Sequence, residues 1–312
     1  MTARNWTGFV VALLAAAVGG CGGDTRTADL TVQAPPSCAL TAAGAQWLAF
    51  SAGVNGVYQL HVMRSDGTCI DAPSSAAGSK FFPTWSPAGV IAYMNNSGGK
   101  MQVYQHDLVA GTDTLLDVGT LSATSPAFSP DGSTIAFEGY AAGVTNASDI
   151  FVVPAAGGTP VKVGAGSGLS AGPAWSPDGA WIYFVSNRSG SYEVWKVART
   201  GGSATQATTS SGILGRPAVS AGGLALAYTR SASGGAFSEV VERTLSTGAI
   251  RVVSGQKDGE PTIDRTGTGL VVTSSRGGNP DLWLLDASTG AAVRQLTNAS
   301  SIDGMAAFGP FP

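Results

Sequence analysis

Apolar and polar positions alternate along most of this chain with the period of strands, in runs too short for helices and separated by Gly- and Pro-containing turns. The clearest run is Gly172–Gly202. A short apolar stretch ends at Trp175, Ser176–Pro177–Asp178–Gly179 makes a tight turn, and strands are predicted over Trp181–Ser186 and Glu193–Ala198. A Gly-Gly turn closes the unit. Pro177 presets φ at the second turn position, while Asp178 and Gly179 supply a side-chain acceptor and a permissive backbone.

This unit recurs. The residue before the turn is Trp85, Phe128, Trp175, Val219, Ile263 and Phe308, at intervals of 43, 47, 44, 44 and 45. A Pro-Thr or Pro-Ala pair leads into the first five, and Ala306-Ala307 into the last. The turn is intact at Ser129–Pro130–Asp131–Gly132 and again at Ser176–Pro177–Asp178–Gly179, and worn elsewhere. A second strand follows each turn, and a third ends at Gly67, Gly111, Gly157, Gly201, Gly248 and Gly290. Fourth strands are predicted at Val161–Val163, Ile250–Val253 and Val293–Leu296. A four-stranded unit of this length, repeated six times, is a propeller blade.

The repeats resemble the PD40 (WD40-like) repeats of the TolB propeller family from Trp47 to Phe308. That resemblance implies an all-β, six-bladed propeller of four-stranded antiparallel blades around an axial channel. The first repeat lacks an inner strand, and Met305–Phe308 is a lone inner-strand copy. Closure by N- and C-terminal strands follows, with the C-terminal segment supplying the missing strand and removing two open edges. Cys38–Leu40 is the other segment that could fill that place.

Composition fits an all-β chain: 44 Gly and 16 Pro fall at turns rather than in a disordered tract. Net charge is −3 and no basic run is present, so nucleic acid is not an expected partner.

The N-terminus carries a different signal. Phe9–Val18 is an apolar stretch of ten residues, against the roughly 20 that a membrane-spanning helix needs. It suits a signal peptide. Val18–Gly19–Gly20–Cys21 resembles the bacterial lipobox, which implies cleavage after Gly20 and lipid attachment at Cys21; ordinary secretion and an uncleaved anchor are the alternatives. Three regions result: a signal peptide over 1–20, the lipidated Cys and a tether over 21–37, and the propeller over 38–312. Asp24 is not placed where an inner-membrane retention signal would sit, which points to the outer membrane. Contact with the membrane is then through the lipid alone. Cys38 and Cys69 remain as one disulfide or as two free buried thiols.

Candidate chemistry is sparse. Ser170 in Gly168–Leu169–Ser170–Ala171–Gly172 matches a nucleophile pattern, but Pro173 and a strand follow where a helix is required, and both histidines precede it. It reads as an inter-blade loop. His61 and His106 lie on third strands without an acid cluster, so no metal site is expected, and no cofactor. Arg188 and Glu193 are five residues apart, as are Arg276 and Asp281; Arg–carboxylate pairs that shape the blade loops are expected from this spacing. Trp47 and Trp181 share one repeat position and are candidates for rim contacts or for core.

These features favour a non-catalytic, monomeric, lipid-anchored scaffold that binds an envelope protein. A carbohydrate-active or hydrolytic enzyme working at the channel mouth is the alternative, although the inner turns keep only Asp131, Asp178 and Asp264 as acids.

Overall fold

A computed structural model describes residues 46–309, apart from 142, 143, 145, 146, 210, 211, 232–237 and 256. Six antiparallel sheets follow one another along the chain, each a blade. Blade 4 shows the common plan: Ser170–Trp175, Trp181–Ser186, Glu193–Ala198 and Thr205–Gln206 in that order from the axis outward. The inner strands of blades 2, 3, 5 and 6 are Lys80–Trp85, Leu121–Phe128, Ala218–Val219 and Asp258–Ile263.

Blade 1 is built from both ends. Its inner strand is Ile302–Phe308, paired antiparallel with Trp47–Val54, which pairs in turn with Val57–Arg64. At the place of a fourth strand a single bridge joins Val62 to Asp71. The C-terminal segment therefore closes the circle, as the lone inner-strand copy predicts.

Among the described residues seven apolar clusters lie between neighbouring blades, one at each interface and a second, of Tyr58 and Met305 with Phe81 and Met94, between blades 1 and 2. Leu60 and Trp47 meet Ile91 and Tyr93 between blades 1 and 2. Phe137 and Ile135 meet Val103 at the next interface, and Phe184 and Ile182 meet Ile150 at the third. Tyr228 and Leu226 pack on Tyr183 and Val194, and Val272 and Leu285 on Val240. The closing interface is packed in the same way, with Leu48, Phe50 and Met63 against Val271 and Leu282. Each such side chain, fully buried, stabilises the fold by about 1.5–3 kcal/mol. Blades hold their shape because each is the other's core.

The proline leads have a structural cause. On five inner strands, pairing slips by one residue just ahead of the Pro-Thr, Pro-Ala or Ala-Ala pair. The residue at the slip takes positive φ: Phe82, Ser125, Gly172, Glu260 and Met305, all between 49° and 59°. A bulge is where a strand tolerates proline, because one residue leaves the ladder there. Four of the five are not glycine, and such a backbone costs of order 1–3 kcal/mol each unless its surroundings hold it.

Candidate functional site

The serine-proline turns sit around one end of the axis and lock to one another. Each turn's serine bridges its own loop: Ser129 Oγ donates to Asp131 and accepts from the Thr134 N–H at 3.0 Å, and Ser176 Oγ accepts from the Trp181 N–H at 2.9 Å. Ser86 and Ser220 keep the acceptor half of this arrangement where the acid has been lost. Each proline then packs against the glycine of the next turn. A Cβ on Gly132 would stand 2.8 Å from Pro87 Cδ, and on Gly179 and Gly223 it would stand 3.7 and 3.6 Å from Pro130 and Pro177 Cδ. The turn motif is thus an inter-blade contact as well as a local one. The strand ends are tied too, since Trp85 Nε1 donates to the Ala307 carbonyl and Trp175 Nε1 to that of Ala127, one blade back in each case.

Inside this collar lies a cavity of about 320 Å³ to which all six inner strands contribute. Its walls combine prolines and the large residues before the turns, among them Trp85, Phe128, Trp175 and Ile263, with the polar residues Thr84, Ser86, Ser129 and Thr262. Two cations reach it: Arg265, exposed at the rim, and Arg216, half-buried. Arg216 precedes the blade-5 proline, at the repeat position held by Phe82, Ser125, Gly172, Glu260 and Met305. Its Nη1 reaches two blades away to the Pro126 carbonyl at 3.4 Å. Burial lowers its pKa, partly offset by attraction to Glu260. Glu260 does not line the cavity; its Oε2 accepts from the Met305 N–H at 2.9 Å and from Thr273 Oγ1 at 3.2 Å. Burial raises its pKa.

Other buried polar groups stiffen the blade interfaces. Glu138 is pushed up to about 7 by burial, against hydrogen bonds from Ser148 and the Gly172 backbone. Asp281 is raised to about 6 by burial and by the nearby Asp303, whose own pKa burial also raises. Asp113 gathers Tyr93 Oη at 2.7 Å, Ser74 Oγ at 2.9 Å and His106 Nδ1 at 2.9 Å. Serine and histidine meet the same carboxylate there. A relay would need the serine to donate to the imidazole, so this is a structural knot rather than a triad.

The two expected arginine pairs are arranged differently from the five-residue spacing. Arg276 Nη2 pairs with Asp258, at the start of the inner strand, and Asp281 accepts instead from Gln295 Nε2 at 3.0 Å and Thr297 Oγ1 at 3.4 Å. The acid and the arginine are both largely buried, at 0% and 14% side-chain exposure, so this is no surface pair. Arg188 occupies the same place in blade 4, donating from Nε to Ser186 Oγ and from Nη2 to Ser170 Oγ at 3.0 Å each, while Glu193 Oε2 accepts from Thr208. Both guanidinium groups also stack, on Trp195 and Trp283 respectively at 5.1 Å. Ser170 therefore opens an inner strand instead of lying in a loop, and its hydroxyl is held by Arg188.

Of the two tryptophans, Trp47 is buried in the blade 1–2 core, not at a rim. Trp181 is 37% exposed, with Lys196 Nζ 4.6 Å from its ring centroid. Pro130, Asp131, Gly132, Pro177, Asp178 and Gly179 form the turns described above. Cys69 is disulfide-bonded; Cys21 and Cys38 lie outside the described residues, as do the leader and tether. Among the described residues no group of three or more His, Cys, Asp or Glu is placed to hold a metal ion.

Arg216 was not singled out by motif. The signal it gives is variation: the residue before each proline changes chemistry from blade to blade while its neighbours repeat.

A family model described as the TolB beta propeller domain matches residues 49–268. The chain is similar to the crystal structure of TolB from Acinetobacter baumannii, with 22% identity and a TM-score of 0.72 over 85% of this chain and 67% of that one. A structure assigned to TolB in Agrobacterium tumefaciens matches with 18% identity and a TM-score of 0.66, covering 86% and 94% of the two chains. Kuenenia stuttgartiensis hydrazine synthase matches at 13% identity and 0.69, over 85% of this chain and 46% of that one. At these identities the likeness is one of fold.

Proposed function

Because the chain belongs to the TolB β-propeller family, we propose that it is a non-catalytic binding scaffold of the bacterial cell envelope. It is exported, anchored by lipid on Cys21 in the outer membrane, and works as a monomer that presents the collar end of the propeller to a protein partner. The observation that supports this best is the cavity at that end. Six strands converge on it, its walls join aromatic rings and prolines to hydroxyls and two arginines, and the acids near it are spent on turns; Asp131 Oδ1, for example, accepts from Ser129 and Ser133. A concave mouth that sets aromatic rings beside convergent polar groups is built to receive a side chain or loop.

Affinity purification of the full-length chain from cross-linked envelopes tests this. A stoichiometric protein partner, and loss of membrane association in Cys21→Ser, are expected. Turnover of a polysaccharide or peptide by the purified chain, with no partner retained, would overturn it in favour of an enzyme.

A further inference from the structure

We propose that the axial cavity is a carboxylate site: it takes an acidic side chain flanked by apolar or aromatic residues on a partner protein, seated on the Arg216 guanidinium. This rests on the scaffold reading above and names the chemistry of its partner.

A guanidinium presents five N–H donors in a planar fork. Among the described residues Arg216 spends one of them, on the Pro126 carbonyl at the long distance of 3.4 Å. The remainder of the fork is left in a space walled by Trp85, Trp175 and Phe128, where water is a poor substitute for a bidentate partner. Glu260 is the acid of the chain whose charge acts on Arg216. It attracts Arg216 electrostatically, yet no ion pair joins them among the described residues, and Glu260 Oε2 is committed to Met305 and Thr273. Asp264, the acid on the cavity wall, accepts from Thr266 and Thr268 through Oδ1.

Charge and size select the ligand. One underused guanidinium on the cavity wall matches one negative charge, and Glu260, whose charge acts on Arg216, disfavours a dianion such as a phosphate monoester. The volume of about 320 Å³ admits a carboxylate and its flanking rings but not a folded element. Arg265 at the exposed rim would guide an anion inward without fixing it.

The test is calorimetric titration of the full-length chain with acetyl-Trp-Asp-Gly-amide and with its Asn counterpart. The Asp peptide is expected to bind about tenfold or more tighter than the Asn peptide, the usual effect of a charge-assisted hydrogen bond. Arg216→Gln removes that preference. Ala221→Trp, in an exposed turn at the mouth, leaves Arg216 in place but blocks entry, so both peptides weaken by about tenfold or more; it decides the matter if Arg216→Gln does not fold. Equal binding of the two peptides, no binding of either, an unchanged preference in Arg216→Gln, undiminished binding of the Asp peptide in Ala221→Trp, or uptake of inorganic phosphate without the Asp peptide would each overturn the proposal. Envelope pull-down separates this from the scaffold reading. A partner held equally by wild type and Arg216→Gln refutes the carboxylate site alone, whereas peptide binding without any partner refutes the scaffold alone.

Discussion

Glu260 Oε2 accepts the backbone N–H of Met305 at 2.9 Å. A carboxylate from the sixth blade thereby holds the strand that closes the first, at the point where Met305 bulges with a φ of 57°. The bond joins two strained residues, since Glu260 itself sits at 51°. Glu260→Ala leaves a buried N–H unpaired and is expected to destabilise the fold by about 1–3 kcal/mol, read from urea unfolding. Glu260→Gln keeps an acceptor in place and should cost less than half of that. Equal losses would mean that charge, not the hydrogen bond, holds the seam.

The collar makes a second expectation. Gly132 has a φ of 71° and faces Pro87, while Gly89 has a φ of 83° and open space around it. Alanine at either position meets the left-handed backbone cost of about 1–2 kcal/mol. Gly132→Ala adds a clash and should cost about 1–3 kcal/mol more than Gly89→Ala. Pairing it with Pro87→Ala should recover about 1 kcal/mol or more in a double-mutant cycle. Strict additivity would show that the turns do not touch.

Stability should have a maximum in mildly acidic solution. Glu138 is raised from 4.5 to about 7, and Asp281 from 3.8 to about 6, both chiefly by burial. The folded state then binds more protons than the unfolded chain across that window, so stability falls as pH rises through it. At the acid end the sign reverses. Asp286 is held at about 2, first by the Ser288 hydroxyl, and Asp131 and Asp178 are lowered by Ser129 and Ser176. Their contribution is present above the ordinary carboxylate range and is lost as pH falls below it. Thermal melts from about pH 3 to about pH 8 should rise and then decline, and Glu138→Gln should flatten the upper limb. A melting temperature that climbs steadily to neutral pH would contradict these assignments.

The indole ties predict a smaller effect. Trp85→Phe keeps most of the ring but loses the bond to the Ala307 carbonyl, 3.1 Å away. A loss of about 1 kcal/mol is expected, and Trp175→Phe should match it.

Much of the fold was legible because the repeat writes each blade several times. Trp181–Ser186 and Glu193–Ala198 have the predicted bounds, and the closing role of the last segment follows from its likeness to the other inner strands and the lack of one in the first repeat. What escaped was set by neighbours in space rather than in sequence. Arg276 finds Asp258 across two strands, not Asp281 five residues on. Trp47 and Trp181 share a repeat position, yet only Trp47 is covered, by the core that blade 1 makes with blade 2. Arg216 carries no motif; its one visible sign in the sequence is the proline after it, which marks its place in the repeat.

The central claim is a ring shut by its own C-terminal strand, and native-state hydrogen exchange tests it most directly. The amides of Ile302–Phe308 should exchange only through global unfolding, at the same rate as those of Trp181–Ser186 in the middle of blade 4. Exchange of the closing strand through a much cheaper local opening, with blade 4 still protected, would contradict it.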